Sequence, residues 1–166
     1  MSEILTDRLF MRPFLETDKD HFLSLKTKLV NMADTHVGVL DEQTSAHLLA
    51  EYVQHWHTGG LGMWALFHRQ SESFIGECGF AARSGFSDLT LRYTLDHKWW
   101  GQGLASEAVN AVLDHGFKTE LVEHVSALAL QSNHRSCRIL EQVGMNVTET
   151  AFGGVSGFQR YALKRP

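Results

Sequence analysis

The chain has 166 residues, 43% hydrophobic and 20% charged. One ordinary domain spans about 100–200 residues, so a single domain over 1–166 is expected, and the near-average composition excludes collagen-like, mucin-like and wholly disordered classes. Fifteen Lys and Arg against nineteen Asp and Glu leave a formal charge of −4, which gives no general pull toward nucleic acid or an anionic membrane.

The first strand is expected over Arg8 to Phe14, with Pro13 placing that part at an edge or an end because proline donates no ladder hydrogen bond. Thr17-Asp18 offers caps for a helix carrying Phe22 and Leu25. A second helix is expected from near Thr44-Ser45, with Ala46, Leu49, Tyr52, Val53 and Trp56 along one stripe and Gly59-Gly60 at its end. Two strand-like runs follow, Leu61 to His68 and Phe74 to Ala82. Leu89 to Leu95 alternates strictly, which fits a strand with one buried and one wetter face. From Gly103 to Lys118 the period becomes helical, with Ala105, Ala108, Val109, Val112, Leu113 and Gly116 recurring at three- and four-residue steps. Val125 to Leu130 reads as a buried strand, and Ser136 to Val143 as a short helix closed by Gly144. A last strand pair, Asn146 to Phe152 and Phe158 to Leu163, is joined by the turn Gly153 to Gly157. This order predicts a mixed α/β (α+β) fold.

Cys78 and Cys137 are too sparse for a disulfide framework or a cysteine zinc site. The opening residues carry Glu3, Asp7 and Arg8 where a secretory leader would be apolar. No run approaches the ~18 apolar residues of a membrane span. A reducing cytoplasm and free thiols are therefore expected.

The stretch from Leu95 to Ala108 is the most informative: a strand stops, a loop with Gly101 and Gly103 follows, and a helix opens at once. First-turn amides have no helical partner and the helix dipole adds positive potential there. Glycines let an anion approach the backbone, so the amides of Gln102, Gly103, Leu104, Ala105 and Ser106 form a candidate phosphate cradle. Alone, the pattern fits a plain glycine turn before an amphipathic helix equally well. A P-loop would need Gly-Lys-Ser/Thr, and a Rossmann loop a third glycine where Ser106 stands.

Trp100 to Ala108 resembles the acetyl-coenzyme A signature of the GNAT superfamily of N-acetyltransferases, in the branch of bacterial ribosomal-protein N-terminal acetyltransferases. Asn133 to Met145 is similar to that branch's second motif, and Thr6-Asp7-Arg8-Leu9 with Arg12-Pro13 to its first strand. The resemblance implies a mixed, mostly antiparallel sheet of about seven strands with helices on both faces. It also implies acetyl-CoA as co-substrate and attack of a primary amine directly on the thioester. The superfamily's frequent tyrosine acid falls at Leu140, which cannot donate a proton.

By the same resemblance, strand Leu89 to Leu95 splays from Val125 to Leu130. The pantetheine lies in that gap against backbone near Leu95, where an N–H polarises the thioester carbonyl. Asn133 would hold pantetheine amides, although an asparagine there also suits a helix cap. Arg138 falls within the second motif as a cofactor contact, and Ser136 is the branch's proton donor to the leaving thiolate, or else a residue serving the helix start. Glu77, between Gly76 and Gly79 in an apolar strand, is a candidate general base; an exposed strand glutamate is the competing reading. Cys137 reads as a small buried hydrophobe.

His47, Glu51 and His55 share one helix face without a further ligand, so a solvated or acceptor-facing surface is expected in place of a metal site. Trp56 and Trp64 read as core or pocket wall. The acceptor is expected to be an amine, a protein N-terminus by branch resemblance, with a polyamine or antibiotic as the alternative. A catalytically silent acetyl-CoA-binding module is the rival class. Neither nucleic acid nor membrane is expected as a partner, and the chain would act as a monomer or homodimer.

Overall fold

The computed structural model describes residues 2–35, 37–150 and 157–166. Along the chain run β1 (Ile4–Leu5), β2 (Leu9–Pro13), α1 (Lys19–Lys26), α2 (Leu29–Met32), α3 (Glu42–Gly59) and β3 (Met63–His68). β4 (Phe74–Ala81), β5 (Leu89–Leu95), α4 (Leu104–Lys118), β6 (His124–Leu130), α5 (His134–Gln142), β7 (Asn146–Glu149) and β8 (Phe158–Lys164) follow. Eight strands form one open sheet in the order β1-β2-β3-β4-β5-β6-β8-β7. Every neighbouring pair is antiparallel except β5 and β6. This is the mixed fold expected from the element order. Its strand beyond the expected seven is β1, whose two residues are too few to show alternation.

Cross-strand partners point to the same face of a sheet. The registers Ala65↔Glu77↔Thr94, Gly79↔Arg92 and Ala81↔Thr90 put these residues on one face. There Phe22 of α1 and Leu49 and Tyr52 of α3 close a core with Phe14, Met63 and Ala65. Trp64, Cys78, Phe80, Leu91 and Leu95 line the opposite face and pack against Leu104, Ala108, Val109 and Val112 of α4 and Leu140 of α5. Each fully buried aliphatic or aromatic side chain contributes about 1.5–3 kcal/mol. Helix α4 lies close on the sheet as its small residues predicted: a Cβ on Gly116 would come within 2.9 Å of the Phe80 ring.

Several boundaries differ from expectation for local reasons. Pro13 ends β2, a strand flanked on both sides, so its position satisfies proline at an end and not at an edge. Asp18 precedes α1 but does not cap it: its carboxylate takes both guanidinium nitrogens of Arg12 at 2.8 Å and the Leu15 N–H at 2.8 Å. Helix α3 begins at Glu42, because Asp41 accepts the Thr44 N–H at 2.6 Å, and Ser45 rather than Ala46 is buried. Helix α2, only four residues long, shows no period that a sequence could reveal. β7 ends at Glu149, and the expected continuation to Phe152 and most of the Gly153 to Gly157 turn lie outside the described residues. Among the described residues no helix is long and apolar enough to cross a membrane.

Candidate active site

β5 and β6 pair only at Leu89↔Val125 and Thr90↔Ser126, then diverge. The last five residues of β5 and the last four of β6 border a slit through the sheet. Asp96 N–H donates to Ile75 C=O on the β4 side. Antiparallel ladders alternate, so the N–H and C=O of Leu95 and Tyr93 face the slit. The Leu95 carbonyl is held by the Trp100 indole N–H at 2.9 Å, and the Leu95 N–H remains directed at the gap.

At one end of the slit stands the predicted cradle. Gly103 is the N-cap of α4 with φ 76°, a left-handed conformation that glycine adopts without strain. The amides of residues 102–106 donate to no group among the described residues. Arg8 reaches over this turn. Its Nη1 donates to Gln102 C=O at 2.7 Å and its Nε to Glu107 Oε2 at 2.7 Å, while its own N–H reaches Glu107 Oε1 at 2.9 Å. Thr6 Oγ1 also donates to Glu107 Oε1, at 2.6 Å. Residues of the opening motif therefore hold the cradle's helix, a link that spacing alone does not disclose.

Burial raises the Glu107 carboxyl, but the hydrogen bonds from Thr6 and Arg8 outweigh it and hold the group below the ordinary carboxylate range. A lowered folded value stabilises at neutral pH and is lost as pH falls through it. Glu107→Gln should cost about 1–2 kcal/mol at pH 7, discounted because Arg8 is 43% exposed, and the gap from wild type should narrow below about pH 4. Urea unfolding of both proteins across that range checks this.

On the α5 side of the slit, Asn133 caps α5 through Oδ1, which accepts the Ser136 N–H at 3.2 Å. The cap reading is thus realised, and Asn133 also lines the cavity. Ser136 Oγ lies 2.5 Å from the Tyr93 hydroxyl across the slit. Burial pushes the Tyr93 phenol well above its usual range, against a smaller opposing pull from the Ser136 hydrogen bond, so it stays protonated. Tyr93 was not among the sequence candidates: its strand pattern marks it simply as one of four apolar-face residues. Arg138 is exposed and does not line the cavity; Arg135 does, stacked 4.2 Å over the Trp100 ring. Leu140 is fully buried in the core. Cys137 is half-buried and its Sγ contacts Leu130 C=O at 3.5 Å.

Through the slit, a cavity of about 370 Å³ continues to the α1–α3 face, lined by Lys26, Tyr52, Glu77, Arg92 and Thr94 among others. Glu77 is 1% exposed, which removes the reading of an exposed strand glutamate. Its Oε1 accepts from the buried Lys26 ammonium, while its Oε2 is buried without a partner. The flanking glycines serve the backbone: at Gly76, φ 152°, a Cβ would fall 2.2 Å from Thr94 C=O. Burial, then the Glu77 charge, push the Tyr52 phenol well above its usual range. His47 and Glu51 form an exposed 3.4 Å pair at the cavity rim. Trp56 and Trp64 belong to the core and stack edge-on at 4.7 Å.

A helix start with unpartnered amides, a slit between diverging parallel strands and a largely apolar cavity holding Glu77 and Lys26 now adjoin one another. The family model of the acetyltransferase (GNAT) domain matches residues 8–146. The chain belongs to the GNAT acetyltransferase family. It is thereby an acetyl-CoA-dependent N-acetyltransferase. Among its relatives is the protein YkkB of Bacillus subtilis, 23% identical over 90% of this chain and 88% of that one. The [Ribosomal protein uS5]-alanine N-acetyltransferase of Escherichia coli is 30% identical over 51% of this chain and 50% of its own. A solved GNAT-family acetyltransferase from Bacillus anthracis superposes with a TM-score of 0.80 at 21% identity, covering 98% of both chains. The GNAT fold expected from the motifs is the fold observed.

Proposed function

We propose that the protein transfers the acetyl group of acetyl-CoA to the α-amine of a protein N-terminus by direct attack within the cavity. The observation that carries this reading is the early parting of β5 from β6, which joins the cradle to the Glu77 cavity. The amides of residues 102–106 hold the diphosphate, and the pantetheine runs along Tyr93 and Leu95 with the Asn133 amide nitrogen beside it. Leu95 N–H polarises the thioester carbonyl and stabilises the oxyanion, an effect of typically a few kcal/mol.

Glu77 Oε2 takes a proton from the acceptor ammonium, and Lys26 keeps the carboxylate in place. The amine nitrogen bonds to the thioester carbon, and the tetrahedral intermediate collapses with loss of the C–S bond. Ser136 Oγ gives its proton to the departing sulfur as the Tyr93 hydroxyl passes its own to Ser136; the second proton of the attacking nitrogen leaves to solvent, and solvent returns one to Tyr93. An α-amine of pKa about 7.7–8.0 makes a modest demand on such a base, whereas a lysine near 10.4 makes a large one. Support for a chain terminus comes also from the apolar rim, where Val30 and Val37 are about half exposed beside the cavity.

The test is turnover: acetyl-CoA with peptides of free and blocked N-termini and with polyamines, reading free thiol and acetylated product by mass spectrometry. Thiol release with free peptide N-termini alone is expected. Binding of acetyl-CoA without thiol release across the panel would instead identify a silent module. Ser136→Ala and Tyr93→Phe should each slow turnover roughly tenfold, because a thiol of pKa about 8.5 leaves tolerably without an acid. The double variant should be no slower than the worse single one, since both act on one proton; multiplicative losses would separate their roles.

A further inference from the structure

The cavity carries a cation that the reaction above does not use. Arg92 projects from β5 on the Glu77 face, diagonal to Glu77 through the pairs Glu77↔Thr94 and Gly79↔Arg92. It lines the cavity, its Nε is buried without a hydrogen-bond partner, and no carboxylate pairs with it among the described residues. Residues 1, 36 and 151–156 contain no Asp or Glu, so none of them supplies one. Arg83 lines the same wall. Burial, and then the like charge of Arg92, pull the Arg83 guanidinium down to about 10, which places the two groups within each other's field. The nearby carboxylate, Glu77, is committed to Lys26 through Oε1. A guanidinium on a partly desolvated wall with no carboxylate of its own favours an anion, and its planar fork matches a carboxylate in particular.

We propose that the acceptor carries a carboxylate close to its amine, with Arg92 gripping the carboxylate while the ammonium meets Glu77 Oε2. This rests on the acetyl-transfer reading and narrows its substrate. Diagonal positions across a sheet are about 7–8 Å apart, and one residue of chain spans about 3.8 Å. The two charges of the acceptor are therefore separated by no more than about one or two residues' length. Two sources share this chemistry: a peptide N-terminus with Asp or Glu in its first two positions, which keeps the chain terminus as acceptor, or a free α-amino acid, which would replace it. A polyamine carries only repelling charge.

The experiment uses the full chain with acetyl-CoA and matched acceptors. One arm compares alanine and glutamate with their α-carboxamides; the other compares peptides beginning Ser-Glu with those beginning Ser-Gln. In at least one arm the acidic member should have a kcat/KM roughly ten- to a hundredfold higher, and the arm showing it identifies the source. In Arg92→Gln that ratio should collapse toward one with acetyl-CoA affinity unchanged, and Arg92→Lys should restore part of it. Turnover with equal kcat/KM for acid and amide in both arms overturns the carboxylate site and leaves acetyl transfer standing. A turnover-free measurement separates the remaining case. With coenzyme A present, N-acetylalanine or N-acetyl-Ser-Glu should bind more tightly than its amide counterpart, by calorimetry, and the difference should vanish in Arg92→Gln. Equal binding overturns the proposal, whereas preferential binding without any acetyl transfer would retain the anion site and count against the acetyl-transfer reading instead.

Discussion

Gly103→Asp is expected to raise the Kd for acetyl-CoA at least about a hundredfold, equivalent to ~2.7 kcal/mol, while the protein without cofactor still folds. The left-handed backbone at Gly103, φ 76°, is one that aspartate tolerates better than most residues. A Cβ there would sit 3.4 Å from Arg8 Nη2, so the new carboxylate can pair with that guanidinium. That pairing keeps the loop together, yet it sets a fixed negative charge where the cradle amides await a diphosphate and spends the positive charge of Arg8. Calorimetry with acetyl-CoA, alongside a melting curve of the free protein, reads both effects. Unchanged affinity in a folded variant would remove the diphosphate from this turn.

The pair Lys26–Glu77 should produce the other large effect. Glu77→Gln is expected to lower kcat by roughly 10²–10⁴ if the carboxylate is the base. It should also cost about 3–5 kcal/mol of stability, because Lys26 is left charged and buried without its partner. Lys26→Met combined with Glu77→Met replaces both charges by apolar bulk and should recover most of that stability. Turnover should not recover with it. Denaturant unfolding and thiol release on the same three proteins separate folding from chemistry. A double variant with wild-type turnover would exclude Glu77 as the base.

What the sequence disclosed of this molecule is what periodicity and contiguous motifs can carry. Leu89 to Leu95 was legible to the residue because its alternation matches a two-faced strand, and α4 because its small and apolar residues recur at helical steps. The helix-opening turn at Gly103 was legible because all its parts are consecutive. Tyr93, Lys26 and Arg135 were not, since each gains its place from a partner far along the chain, and Arg92 was not, since the β4–β5 register sets it on the Glu77 face. Tyr93 meets a serine 43 positions on, and Lys26 a glutamate 51 positions on. Asp18 misled in a different way: the type of residue suits a cap, but a bidentate arginine nearby competes better for the same oxygens.

The opening between β5 and β6 has a kinetic consequence. Glu77 and Thr94 project from one face of the sheet, whereas Tyr93 and Ser136 meet on the other. Donor and acceptor can thus enter from opposite sides and be present together, with no need for the protein to carry the acyl group between visits. Double-reciprocal plots at several fixed concentrations of either substrate should intersect, as a ternary complex requires, rather than run parallel as a shuttling covalent acyl-enzyme would make them.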